Sequence, residues 1–118
     1  METINILGTN YKIVIKKYDE EESFKRREID AFCDGYAKEI VVCDMSTYPG
    51  WNHELHDTLV PYQKAKLRHE IVHAFLFESG LAQHSGETDA WALNEEMVDW
   101  FACQGPKIYA AWKTADCL

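Results

Sequence analysis

Over the first third of the chain, apolar residues recur with the two-residue period of strands. The runs Thr3 to Leu7 and Tyr11 to Lys17, separated by Gly8-Thr9-Asn10, predict a β-hairpin. Ala31-Phe32-Cys33 and Lys38 to Cys43 flank the turn formers Asp34-Gly35-Tyr36 in the same way, predicting a second pair of strands and a small antiparallel sheet. Between the pairs, Asp19-Glu20-Glu21-Glu22 and then Lys25-Arg26-Arg27 read as a solvated loop. Met45 to His56, rich in turn formers and aromatics, reads as a connection to a helical half.

There the period lengthens. Pro61 suits a first helical turn, and Tyr62 to Glu78 has no internal Gly or Pro before the stop at Ser79-Gly80. Its second half, Ile71 to Phe77, is apolar almost all round apart from His73, which predicts burial against both the sheet and another helix. Leu81 to Thr88 reads as a loop. Asp89 to Cys103 reads as a second helix carrying Leu93, Met97, Trp100 and Phe101, ended by Gly105-Pro106, and Lys107 to Ala115 as a short last helix. Strands first and helices second define an α+β fold, here a single domain over residues 1–118.

Composition narrows the partners. No window approaches eighteen uninterrupted apolar residues, so no membrane span is expected. The N-terminus lacks the basic stretch and long apolar region of a secretory signal, which leads to the expectation of a cytoplasmic protein. A formal charge of −8 opposes attraction to phosphate backbones and argues against nucleic acid. Cys33, Cys43, Cys103 and Cys117 are widely spaced with no CxxC pair and read as reduced thiols.

The chemistry concentrates in His69-Glu70-Ile71-Val72-His73. One helical turn separates the two histidines, so both imidazoles can face a single ion, while Glu70 is offset enough to reach a water beside it. That is the pattern of metal-activated hydrolysis, with Zn²⁺ the expected cofactor and Glu70 the general base. The competing explanation is two satisfied core histidines. A catalytic zinc site also needs a third protein donor. The metzincin extension is excluded, because Leu76 and Ser79 stand where it requires Gly and His.

Downstream, Asn94-Glu95-Glu96-Met97-Val98-Asp99 resembles the NExxxD element of thermolysin-like gluzincins, with Glu95 twenty-two positions after His73. The run Glu95 to Ala102 is also similar to the second helix of the ImmA/IrrE-type intracellular peptidases. The resemblance implies a minimal zincin-type domain, the small sheet packed on an active-site helix and a glutamate helix. It implies His69, His73 and Glu95 as metal ligands, with Glu96 the nearest competitor to Glu95. It further implies that Asp99 accepts a hydrogen bond from His69, and that the partner is a peptide or protein substrate. The substrate-binding lobe of thermolysin, with its transition-state His and Tyr, has no assignable counterpart. In zincins a strand beside the cleft pairs with extended substrate; Ile40 to Cys43, the last strand before the helix, is the expected one.

Weaker features take bland readings. His53 and His56 are expected at the surface rather than on a second ion, and His84 in solvent. The four tryptophans are expected in core and cleft-wall packing. A Cys103 or Cys117 thiolate closing the metal site is the minor alternative to a plain thiol. The short length and missing substrate lobe keep a second function in play, a zinc-stabilised regulatory or binding module with a degenerate or latent site.

Overall fold

A computed structural model describes residues 2–51, 56–86, 91 and 94–118. Four strands, β1 (Glu2–Ile6), β2 (Thr9–Lys16), β3 (Ala31–Asp34) and β4 (Glu39–Cys43), form one sheet in the order β1-β2-β4-β3. Both expected hairpins are present. In the first, the turn is Leu7-Gly8, both at positive φ, with Gly8 at +93° where glycine carries no steric cost.

The sheet is mixed rather than antiparallel, which corrects the expectation. β2 and β4 pair in parallel, with Ile13 opposite Ile40 and Val14 opposite Val41. Turn residues specify each hairpin locally, but the docking of one hairpin on the other is set by burial. Ile40 to Cys43 is an unbroken apolar run and is fully covered on both faces, the environment of a central strand. Parallel neighbours need a long crossover, usually helical. The acidic-then-basic stretch supplies it: Glu22–Arg26 is a short helix, α1, not a solvated loop. Acids at its start and bases at its end complement the helix dipole, Glu21 caps Ser23 N–H, and Phe24 is wholly buried against Val41 and Cys43.

The opposite face carries the helical layer. α2 (His56–Glu78) begins five residues earlier than Pro61 suggests and takes that proline inside its early turns. It ends as expected, at Gly80 in the left-handed conformation. Ile71, Ala74 and Phe75 are buried on the sheet with Ile4, Ile6, Tyr11, Ile13, Ile40 and Val42; burial of each larger one contributes about 1.5–3 kcal/mol. After the short α3 (Leu81–His84), α4 (Glu95–Thr114) runs unbroken through Gly105-Pro106, correcting the expected stop there. Asn94 caps it by accepting Met97 N–H at 3.0 Å. Ile108 and Ala111 join the core, and Trp112 Nε1–H donates to the Arg68 carbonyl at 3.3 Å, so packing overrides the local breaker. Asp89, where the helix was expected to begin, lies outside the described residues.

Polar contacts lock the end of α2 to the sheet. Glu78 accepts hydrogen bonds from Lys38 Nζ and Tyr11 Oη, both at 2.6 Å. Gly35 in the β3–β4 turn lies against the Phe77 ring so closely that a Cβ there would meet its carbons at 2.4 Å. Gly35→Ala is therefore expected to cost about 1–3 kcal/mol of stability by forcing Phe77 or the turn to shift, measured by urea unfolding. No helix among the described residues is long and apolar enough to cross a membrane.

Candidate metal centre

His69 and His73 occupy one exposed stripe of α2, with Glu70 at its edge turned inward and 6 % exposed. This follows from helical spacing: positions 69 and 73 stack one turn apart, and Ile71, Ala74 and Phe75 hold the opposite stripe in the core. The Nε2 atoms of the two histidines stand 3.1 Å apart, with ring centroids at 4.8 Å and planes inclined by 69°. Ligand atoms of His69, Glu70 and His73 all lie within 4.8 Å of one another, the one such group among the described residues. Two nitrogens sharing a tetrahedral zinc at about 2.0–2.1 Å each are separated by roughly 3.3 Å, so the pair fits a common ion.

The group opens into a cleft of about 340 Å³. Its second wall is β3, through Ala31, Phe32 and Cys33, with Arg27 among the lining residues and Gly35 and Phe77 continuing it past the strand. β3 is the sheet edge, paired on one side to β4 and on the other to no strand among the described residues. β4 is paired on both sides, so Ile40 to Cys43 has no free hydrogen-bonding edge; the strand beside the cleft is Ala31–Asp34.

Burial dominates the electrostatics. It raises the Glu70 carboxyl to about 7, opposed by Lys66, reinforced by Asp30 and opposed again by Arg27. No hydrogen-bond partner or ion pair is found for the Glu70 carboxylate among the described residues. Partial desolvation of the ring where it lies along α2, with the neighbouring His69 charge, lowers the His73 pKa although the residue is exposed, and favours the neutral imidazole that binds a metal. Burial, followed by Glu70 and the other nearby carboxylates, pushes the Cys33 thiol up to about 12, which keeps it protonated and a poor nucleophile.

The downstream carboxylates stand elsewhere. Glu95, Glu96 and Asp99 are exposed on the first turns of α4 and do not join the histidine group. The two helices run antiparallel: Trp100 Nε1–H reaches Ser79 Oγ at 3.3 Å, and Trp112 reaches Arg68. His73 lies before Ser79 on one helix and Glu95 before Trp100 on the other, so antiparallel register carries them to opposite sides of that contact. His84 is exposed and outside the cleft, as expected. His53 lies outside the described residues, as does the side chain of His56. All four cysteines are free. Trp51, Trp100 and Trp112 pack, but Trp91 is 69 % exposed.

Sequence reasoning missed the far wall. Two-residue alternation put Ala31 and Cys33 on one face of a strand, and helical spacing put Phe77 one turn past His73, yet neither signal says that the strand faces the motif helix. Arg27 carried no signal at all within its charged run. No protein family, curated protein or solved structure matches the chain.

Proposed function

We propose that the protein is a zinc-dependent metallopeptidase, in which His69 and His73 hold the ion and Glu70 serves as general base. The observation that carries this reading is the pairing of two imidazole nitrogens 3.1 Å apart with the carboxylate of an otherwise buried Glu70 that opens on the same cleft. Zinc held there supplies Lewis acidity to a substrate carbonyl and lowers the pKa of water toward neutrality. Glu70 takes the water proton and passes it to the leaving amine. A carboxyl raised to about 7 by burial is matched to both halves of that transfer near neutral pH. The free edge of β3 offers backbone N–H and C=O groups to an extended polypeptide, by strand addition.

Glu95 is the third donor in this reading, with Glu96 as its competitor, and Asp99 orients His69. This requires the first turns of α4 to stand nearer the motif helix when metal is held. The resemblance to gluzincins and to ImmA/IrrE-type peptidases supports the assignment, and metal retention by Glu95→Ala against Glu96→Ala separates the two carboxylates. The zinc-stabilised binding module remains the second reading, favoured by the separation of Glu95, Glu96 and Asp99 from the histidine group.

The two readings part on turnover. Incubated with an unfolded polypeptide, zinc-loaded protein is expected to give chelator-sensitive cleavage, slowed at least about a hundredfold in Glu70→Gln. Cleavage equal in wild type and Glu70→Gln rejects the peptidase; zinc retention without any cleavage selects the module.

A further inference from the structure

We propose that Arg27 is the carboxylate receptor of the cleft, selecting polypeptides that present a carboxylate beside β3; this rests on the hydrolase reading above. Arg27 follows α1 directly, its backbone N–H bonded to the Ser23 carbonyl, and its side chain lines the cleft with Phe32 and Cys33. The guanidinium carbon lies 5.8 Å from the centroid of the Phe32 ring, within cation–π range. A guanidinium resting on a ring keeps its N–H fork free at the edge, the geometry that takes a carboxylate by two parallel hydrogen bonds.

Position singles out the free fork, because Lys12, Lys25 and Lys64 among others also form no ion pair among the described residues, while Arg27 alone of the lysines and arginines described lines this cleft. Acids outnumber bases 20 to 12 in this chain. Lys16 is paired with Glu21, Lys38 with Glu78, Lys66 with Asp30, and Arg68 donates to the Cys117 carbonyl. Arg27 forms no ion pair or side-chain hydrogen bond among the described residues, although it faces the cleft that holds Glu70. The far end of the cleft is different in character, with Phe77 capped edge-on by Tyr36, itself 86 % exposed. An extended chain along β3 thus meets a cation near one end and aromatic surface at the other. A carboxylate entering beside Glu70 would be repelled without Arg27 and is held with it.

The test reads binding without turnover. Metal-free Glu70→Gln protein is titrated with short fluorescent Ala/Gln peptides. One set is blocked at both ends with a single internal Glu, one is uncharged and blocked, and one is uncharged with a free C-terminal carboxylate. At least one carboxylate peptide is expected to bind tenfold or more tightly than the uncharged control. Adding Arg27→Gln erases that advantage, Arg27→Lys keeps part of it, and Arg27→Glu transfers the preference to a Lys peptide. Preference for the internal Glu assigns the carboxylate to a side chain, and preference for the free terminus assigns it to a chain end; either supports the proposal. No carboxylate advantage, or one untouched by Arg27→Gln in variants with unchanged circular dichroism, overturns it. Zinc-dependent cleavage indifferent to carboxylates overturns the Arg27 proposal alone, whereas Arg27-dependent binding with no cleavage of any peptide overturns the hydrolase reading alone.

Discussion

In the metal-free protein, Glu70→Gln is expected to raise stability at pH 8 by about 1–2 kcal/mol, after screening by solvent in the cleft, and to change it little near pH 4. Glu70 is buried except where its carboxylate opens on the cleft; the carboxylate has no hydrogen-bond partner among the described residues, and desolvation lifts it from 4.5 to about 7. Below pH 4.5 it is protonated both folded and unfolded, so it contributes no pH dependence. Between 4.5 and 7 the unfolded chain releases the proton while the folded chain retains it, and the wild type loses stability as pH rises. Above 7 the whole desolvation cost of the partly covered charge is present. Glutamine has no such term, so the gap between variant and wild type should open across that window. Urea unfolding in chelator at pH 4, 6 and 8 measures it. A gap that stays constant with pH would show that Glu70 ionises as freely as an exposed carboxylate.

Zinc should add about 4 kcal/mol of stability when its free concentration is a thousandfold above Kd, and His73→Ala should remove that increment. Both histidines are exposed and outside the apolar core, so His69→Ala and His73→Ala in chelator are expected within about 0.5 kcal/mol of wild type. The combination is diagnostic. Core histidines would weaken the fold with or without metal, whereas ligands matter only when zinc is present. Thermal unfolding of the three proteins, each with chelator and with zinc, distinguishes them. An equal zinc shift in wild type and His73→Ala would remove His73 from the site.

The two hairpins, the α2 stop at Gly80 and the helical setting of His69 and His73 were legible because each is written in local chemistry: turn residues, a C-terminal glycine, a one-turn spacing. The parallel junction of β2 and β4 was not, since nothing near Val14 or Val41 names its partner strand. Its one trace was the unbroken Ile40 to Cys43 run, which calls for cover on both faces. Phe24 was hidden among charges that looked solvated, although acids first and bases last is also how a short helix satisfies its dipole. Pro106 misled in the opposite direction. It removes one hydrogen bond from α4, and the burial of Ile108 and Ala111 with the Trp112–Arg68 bond carries the helix through.

At the site, sequence spacing located the donors on α2 but not the wall that faces them. Edge position in a sheet is a property of topology, so β3 replaced β4 beside the cleft only once strand order was known. The same limit applies to Glu95. A spacing of twenty-two residues is compatible with approach to His73, while the antiparallel register through Trp100 and Ser79 sets the two apart in this structure.

Zinc content after dialysis against a weakly buffered zinc solution tests the metal centre most directly. Wild type and Glu70→Gln are expected to retain about one zinc per chain, and His69→Ala and His73→Ala to lose it. A wild type that emerges without zinc, or a His73→Ala protein that holds as much as wild type, would contradict the site.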